Sequence, residues 1–107
     1  MVRQLESMSV FAAIADPTRR QILDRLGRSE LTVNEIAEPF HVSQPAISQH
    51  LRVLREAGLV SRRKEGRFRR YRLNGGALRE VYDWVLHYRR FWTGNLTGLG
   101  KYLDEQP

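Results

Sequence analysis

Apolar residues recur along most of this chain at helical spacing, and the breaks in that pattern mark its elements. Met8, Phe11, Ala12 and Ala15 predict a first helix over residues 5–15. Asp16-Pro17 reads as an N-cap followed by proline at the first helical position, where a missing N–H costs nothing. The helix behind it carries Ile22, Leu23 and Leu26 on its inner face and ends near Gly27. Thr32-Val33-Asn34-Glu35 fits a capping box, with Leu31 and Ile36 at the staple positions, and opens a short helix reaching about Pro39 or Phe40. After a turn through His41 and Val42, Ser43 caps another helix, with Pro45 tolerated in its first turn. Ile47, Leu51 and Leu54 form one narrow apolar stripe on it, and Pro45, Ser48, Gln49, Arg52 and Glu56 lie opposite. Gly58 supplies a left-handed residue that stops the helix, and Leu59 packs back on its last turn.

The period then changes. Residues 59–64 and 67–73 predict two strands around Glu65-Gly66, a hairpin with basic edges. Beyond Asn74-Gly75-Gly76, Leu78, Val81, Val85, Tyr88 and Trp92 line one face of a long final helix. A short capped helix, a tight turn and a second helix with a thin apolar stripe describe a helix-turn-helix, and a hairpin directly after it makes a winged helix. The expected fold is mainly α with a small β-hairpin wing, about five helices and two strands in a single domain over 1–107. Its helix-turn-helix spans about 32–57, its wing about 59–73 and its final helix about 76–103.

Charge adds what the pattern alone lacks. The formal net charge is +6, and residues 58–74 hold Arg62, Arg63, Lys64, Arg67, Arg69, Arg70 and Arg72 against Glu65 alone, while both flanks cancel. A local field of that kind suits a phosphate backbone. Arginines alternating with Phe68, Tyr71 and Leu73 belong to a packed hairpin rather than to a solvated tail. Gln44, Ser48 and Gln49 carry donors and acceptors suited to base edges, Pro45 shares their face, and Arg52 reaches guanine or phosphate. Arg62, Arg63, Lys64, Arg67 and Arg69 are expected on the backbone, together with Ser43 and His50 at the helix itself. His41 reads as a solvated turn residue.

Cysteine is absent, which removes disulfides, thiolate metal sites and thiol switches from the sequence and makes the cytoplasm the expected compartment. The apolar run at residues 8–15 is interrupted by Ser9 and followed by Asp16-Pro17, a poor signal peptide and too short for a membrane span. No nucleophile, base and orienting group share a spacing that suggests catalysis, and no glycine-rich phosphate loop follows a strand, so an enzyme is not expected.

The stretch SQPAISQHLRVLREAGLVSRRKEGRFRRYRL resembles the signature of the ArsR-type winged-helix repressors, and ADPTRRQILDRL resembles the helix before it. That resemblance covers roughly residues 8 to 88 and implies a homodimeric transcriptional repressor on a pseudo-palindromic double-stranded DNA operator, paired through its first and last helices. Many such repressors sense metals. Where the family's thiolate site sits, this chain has Leu31-Thr32-Val33-Asn34-Glu35, and of the site between final helices only Asp83 and His87 remain. No metal site and no cofactor are therefore expected.

Six of the ten aromatics lie at Tyr82, Trp84, Tyr88, Phe91, Trp92 and Tyr102, more than a lone small domain covers. With Met8 and Phe11, the set Trp84, Tyr88, Phe91 and Trp92 forms the expected dimer interface. Filling a dimer core outweighs holding a small apolar effector there. His87, among these rings, reads as an interface or surface residue. Gly94-x-x-x-Gly98 lacks the apolar surroundings of a membrane-helix motif. The rival reading is a winged-helix module that docks a protein or binds nucleic acid without choosing a sequence.

Overall fold

A computed structural model describes residues 9–93. The described residues open with α1 (Val10–Ala13), where Ser9 Oγ accepts the Ala12 N–H at 3.1 Å. The predicted first helix is thus only four residues long among the described residues, because the next helix begins almost at once. Asp16 caps α2 (Pro17–Leu26) by accepting the Arg19 N–H at 3.0 Å. Arg19 and Arg20 reach back to the freed carbonyls: Arg19 Nε donates to Ala13 O at 2.6 Å and Arg20 to Ile14 O at 2.8 Å. The tight corner between α1 and α2 therefore leaves few orphaned acceptors.

A two-residue strand β1 (Leu31–Thr32) runs straight into α3 (Val33–Ala37). The capping box is complete: Thr32 Oγ1 accepts the Glu35 N–H at 3.3 Å, and Glu35 Oε1 accepts the Thr32 N–H at 2.8 Å. α4 (Gln44–Glu56) starts under a Ser43 cap, whose hydroxyl accepts the Ala46 N–H at 3.3 Å. Gly58 adopts φ +80°, the left-handed conformation expected after the helix, and Leu59 behind it is fully buried.

β2 (Val60–Glu65) and β3 (Phe68–Leu73) pair antiparallel, from Val60 opposite Leu73 out to Glu65 opposite Phe68. The connecting residues are Gly66 and Arg67, one position later than the sequence suggested. Gly66 has φ +63° and Arg67 does not share a positive φ, the pattern of a type II′ turn whose twist matches the strands. β1 pairs with the other edge of β3, Leu31 opposite Tyr71 and Thr32 opposite Arg70, giving the sheet order β1-β3-β2. This third strand was not anticipated. Two residues are too few to show a period, and their signal merged with the capping box.

Ile22, Ile36, Ile47, Leu51, Leu54 and Leu59 are fully buried and form the centre of the core, with Val10, Ala13, Leu23, Leu26, Val60 and Tyr71 around them. Burying each of the valine, leucine and isoleucine side chains contributes about 1.5–3 kcal/mol. After β3 the chain makes a 3₁₀ turn (Gly75–Leu78), then α5 (Arg79–Leu86) and α6 (Arg89–Thr93). The single final helix expected over about 76–103 is therefore interrupted at His87 and Tyr88; positions beyond 93 lie outside the described residues. Shorter-range bonds replace the α pattern there, His87 N–H to Trp84 O at 3.1 Å and Tyr88 N–H to Val85 O at 2.9 Å. The described part of the fold thus has six helices and three strands in place of about five and two, and it is a winged helix-turn-helix. None of its helices is long and apolar enough to cross a membrane.

Candidate nucleic-acid interface

Burying Ile47, Leu51 and Leu54 turns the other side of α4 outward. Gln44, Pro45, Ser48, Gln49 and Arg52 are all exposed and share one helical face. They line an open groove of about 770 Å³ whose far wall is the wing, with Arg62, Lys64, Arg67 and Arg69. Thr32, Asn34 and Arg55 add polar side chains to the lining, and Val33, Phe68 and Tyr71 add apolar ones. Sequence reasoning missed the three polar residues. Arg55 lies eleven positions after Gln44 and seven after Ser48, so the helical period places it on the same face. Asn34 and Thr32 arrive only through the packing of α3 against α4, for which the sequence holds no local signal.

Strand register divides the hairpin's cations in two. Residues paired across an antiparallel ladder share a face, so Arg62 with Tyr71 and Lys64 with Arg69 point one way, and Arg63 with Arg70 the other. On the first face no carboxylate lies within 4 Å of Arg62, Lys64, Arg67 or Arg69 among the described residues; Arg62 donates to the Tyr71 hydroxyl at 3.3 Å. The second face is neutralised. Arg63 pairs with Glu30 at 2.6 Å and Glu65 at 3.4 Å, and Arg70 with Glu65 at 3.1 Å and Glu35 at 4.0 Å. The hydrogen bond from Arg63 to Glu30 holds its guanidinium pKa above the ordinary value, and the bond from Arg70 holds the Glu65 carboxyl below its own. Arg63, which the sequence grouped with the backbone-binding wing residues, is thus on the far face from the groove, tied to Glu30 just before β1 and to Glu65 at the end of β2.

His50 is half-buried, its Nδ1 3.4 Å from Arg19 Nη1, and looks toward the α1–α2 corner. Ser43 caps α4 from the end that opens onto the groove. Arg52 is held by Glu56 at 3.4 Å, an exposed i,i+4 pair that gives way easily to another anion. Gln44 is engaged as well, donating from Nε2 to Asn34 Oδ1.

A second surface is apolar. Phe11, Trp84, Tyr88, Phe91 and Trp92 are exposed and run as one aromatic strip from α1 to α6. Phe11 meets Trp84 edge-on at 5.8 Å between centroids, Trp84 meets Tyr88 at 5.4 Å, and Tyr88 meets Phe91 at 6.2 Å. Trp84, Val85, Tyr88, Phe91 and Trp92 line a shallow groove in this strip. Met8, the remaining expected interface residue, lies outside the described residues. No group of three or more His, Asp or Glu among the described residues is placed to hold a metal ion.

A helix-turn-helix whose outward face and basic wing share one groove defines the class of winged-helix transcription regulators. Comparison with known proteins gives the family. The profile of bacterial regulatory proteins of the arsR family matches residues 16–62. The chain is 44% identical over 80 residues to the transcriptional repressor SdpR of Bacillus subtilis (strain 168), covering 75% of this chain and 89% of SdpR. It is also 44% identical over 97 residues to the HTH-type transcriptional regulator Rv2034 of Mycobacterium tuberculosis (strain ATCC 25618 / H37Rv), 88% of this chain and 85% of the relative. Among solved structures, an ArsR family transcriptional regulator superposes with TM-score 0.70 at 35% identity, over 77% of this chain and 90% of that one. A possible transcriptional regulator for arsenical resistance does so with TM-score 0.65 at 44% identity, over 89% and 94%. The chain belongs to the arsR family of bacterial regulatory proteins. It is a DNA-binding transcriptional repressor and not an enzyme.

Proposed function

We propose that this repressor works in the cytoplasm as a homodimer on a pseudo-palindromic DNA site, with α4 in the major groove and the wing along the backbone. The observation that carries the reading is the shared groove: a polar helix face and four cations that have no carboxylate partner among the described residues line the same concavity. Gln44, Ser48, Gln49 and Arg52 face base edges, Pro45 contributes apolar contact beside them, and Arg62, Lys64, Arg67 and Arg69 meet phosphates with Ser43 at the helix start. His50 acts through its contact with Arg19, and Arg63 through the ion pairs that seat the wing. The aromatic strip from Phe11 to Trp92 joins the two protomers, which sets two recognition helices about one DNA turn apart. Metal binding and a resident cofactor play no part in this reading.

Fluorescence anisotropy on a duplex from the gene's own upstream region and on a shuffled duplex, across a salt series, tests it. The native duplex is expected to bind at least about a hundredfold more tightly. Neutralising about six to ten phosphates per dimer makes both affinities fall by on the order of a thousandfold or more between 50 and 200 mM salt. Equal binding to the two duplexes would leave only a winged-helix interaction module. Gln49→Ala is expected to erode the difference between native and shuffled duplexes while leaving the shuffled affinity in place.

A further inference from the structure

We propose that Arg55, in the last turn of α4, binds a DNA phosphate and is kept there at a cost to the stability of the unbound protein; the assignment rests on the reading that α4 lies in the major groove. Arg55 lines the basic groove together with Arg62 of the wing. It falls on the groove face of its helix, seven positions after Ser48 and three after Arg52. Gln44, Ser48, Gln49 and Arg52 occupy the turns before it. A recognition helix meets base edges with its N-terminal residues, so its last turn is where it returns to the sugar-phosphate backbone.

Two further observations set Arg55 apart from its neighbour on the same helix. Arg52 has Glu56 at 3.4 Å, whereas no carboxylate lies within 4 Å of Arg55 among the described residues. Arg55 is also half-buried, and its Nε is buried without a hydrogen-bond partner among those residues. A cation drawn partly out of water with no counter-charge, and a sealed donor with no acceptor, both work against folding. Arg62, Lys64, Arg67 and Arg69 line the same groove and add like-charge repulsion. An uncharged chain of the same length would pack in this place without those penalties. With Nε sealed, the terminal guanidinium nitrogens are the donors left to take an anion. Phosphate oxygens supply both the charge and the acceptors that the unbound protein lacks there.

The test uses the full chain and two variants: Arg55→Met keeps the length of the stem without the charge, and Arg55→Lys keeps the charge. Native and shuffled duplexes are titrated by anisotropy across a salt series, and each protein is melted without DNA. Arg55→Met is expected to weaken both duplexes alike, by about tenfold or more, and to lower the salt slope by about one unit per bound protomer. Its melting temperature without DNA should lie above that of wild type. Arg55→Lys should keep the wild-type slope. Four results overturn the proposal: a slope that Arg55→Met leaves intact, a loss confined to the native duplex, a slope that Arg55→Lys lowers as far as Arg55→Met, or an Arg55→Met protein that melts at or below wild type. The last is the mark of a cation that serves only the carbonyl end of α4. If wild type itself binds both duplexes without salt dependence, the groove reading falls and Arg55 with it. A normal wild-type slope that Arg55→Met does not change sinks the Arg55 assignment alone, so the two failures are distinguishable.

Discussion

Arg63 and Arg67 stand four positions apart in one run of arginines, yet the hairpin gives them opposite surroundings. Arg63 is clamped by Glu30 and Glu65, whereas Arg67 stands at the wing tip with no carboxylate near it among the described residues. Arg67→Ala should weaken specific and shuffled duplexes about equally and lower the salt slope by about one unit, read from log affinity against log salt. Arg63→Ala should leave that slope near the wild-type value, because its charge is already matched. Glu35 offers a second prediction at this scale. The Thr32 backbone N–H, then the Thr32 hydroxyl, hold its carboxyl below the ordinary glutamate range. A depressed folded-state pKa means that the charged form stabilises the fold above the ordinary value, and that this contribution is lost as pH falls through the depressed one. Glu35→Gln should therefore melt below wild type at neutral pH, and the gap should close as the solution is acidified beneath the ordinary glutamate range. Thermal melts across a pH series check this.

At the scale of elements, α4 is both the centre of the core and the floor of the groove, so one stripe of side chains fixes where the polar face points. Leu51→Ala should cost about 2–5 kcal/mol, measured by urea unfolding, since a fully buried leucine leaves a cavity that its neighbours fill only in part. Elements with a local cause were legible in the sequence: the Asp16, Thr32 and Ser43 caps, the Ile47-Leu51-Leu54 stripe, the left-handed Gly58 and the two long strands. β1 was not, because Leu31-Thr32 become a strand only by pairing with Tyr71 and Arg70, some forty residues away. The break at His87 was equally hidden. Leu78, Val81, Val85, Tyr88 and Trp92 keep helical spacing across it, and hydrophobic spacing does not register a switch to shorter backbone bonds. In the groove, α4 contributed its polar residues by period alone, Arg55 was within reach of the same argument, and Asn34 was not. The separation of Arg63 from its neighbours needed only the two-residue period of a strand, once the register was known.

For the molecule as a whole, the aromatic strip leaves Phe11, Trp84, Tyr88, Phe91 and Trp92 uncovered on the described surface, and α5 buries none of its own residues. On the proposed pairing of two protomers through this strip, Trp84→Glu should give a monomer in sedimentation velocity and remove most preference for the native duplex, since a single recognition helix reads only half of a two-fold site. The same variant should keep its cooperative melt, because Trp84 is 51% exposed and stands outside the core cluster.

The fully buried side chains all lie between Ala13 and Leu59, with Tyr71 the last residue of the core cluster. The part that faces the groove thus carries its own foundation, while the aromatic strip is mounted on it from outside. Changes confined to the strip are expected to act on the proposed pairing of protomers, while the side chains that line the groove keep their places. Such a head, fitted with different handles, yields regulators that share an alphabet of contacts but answer to different circumstances.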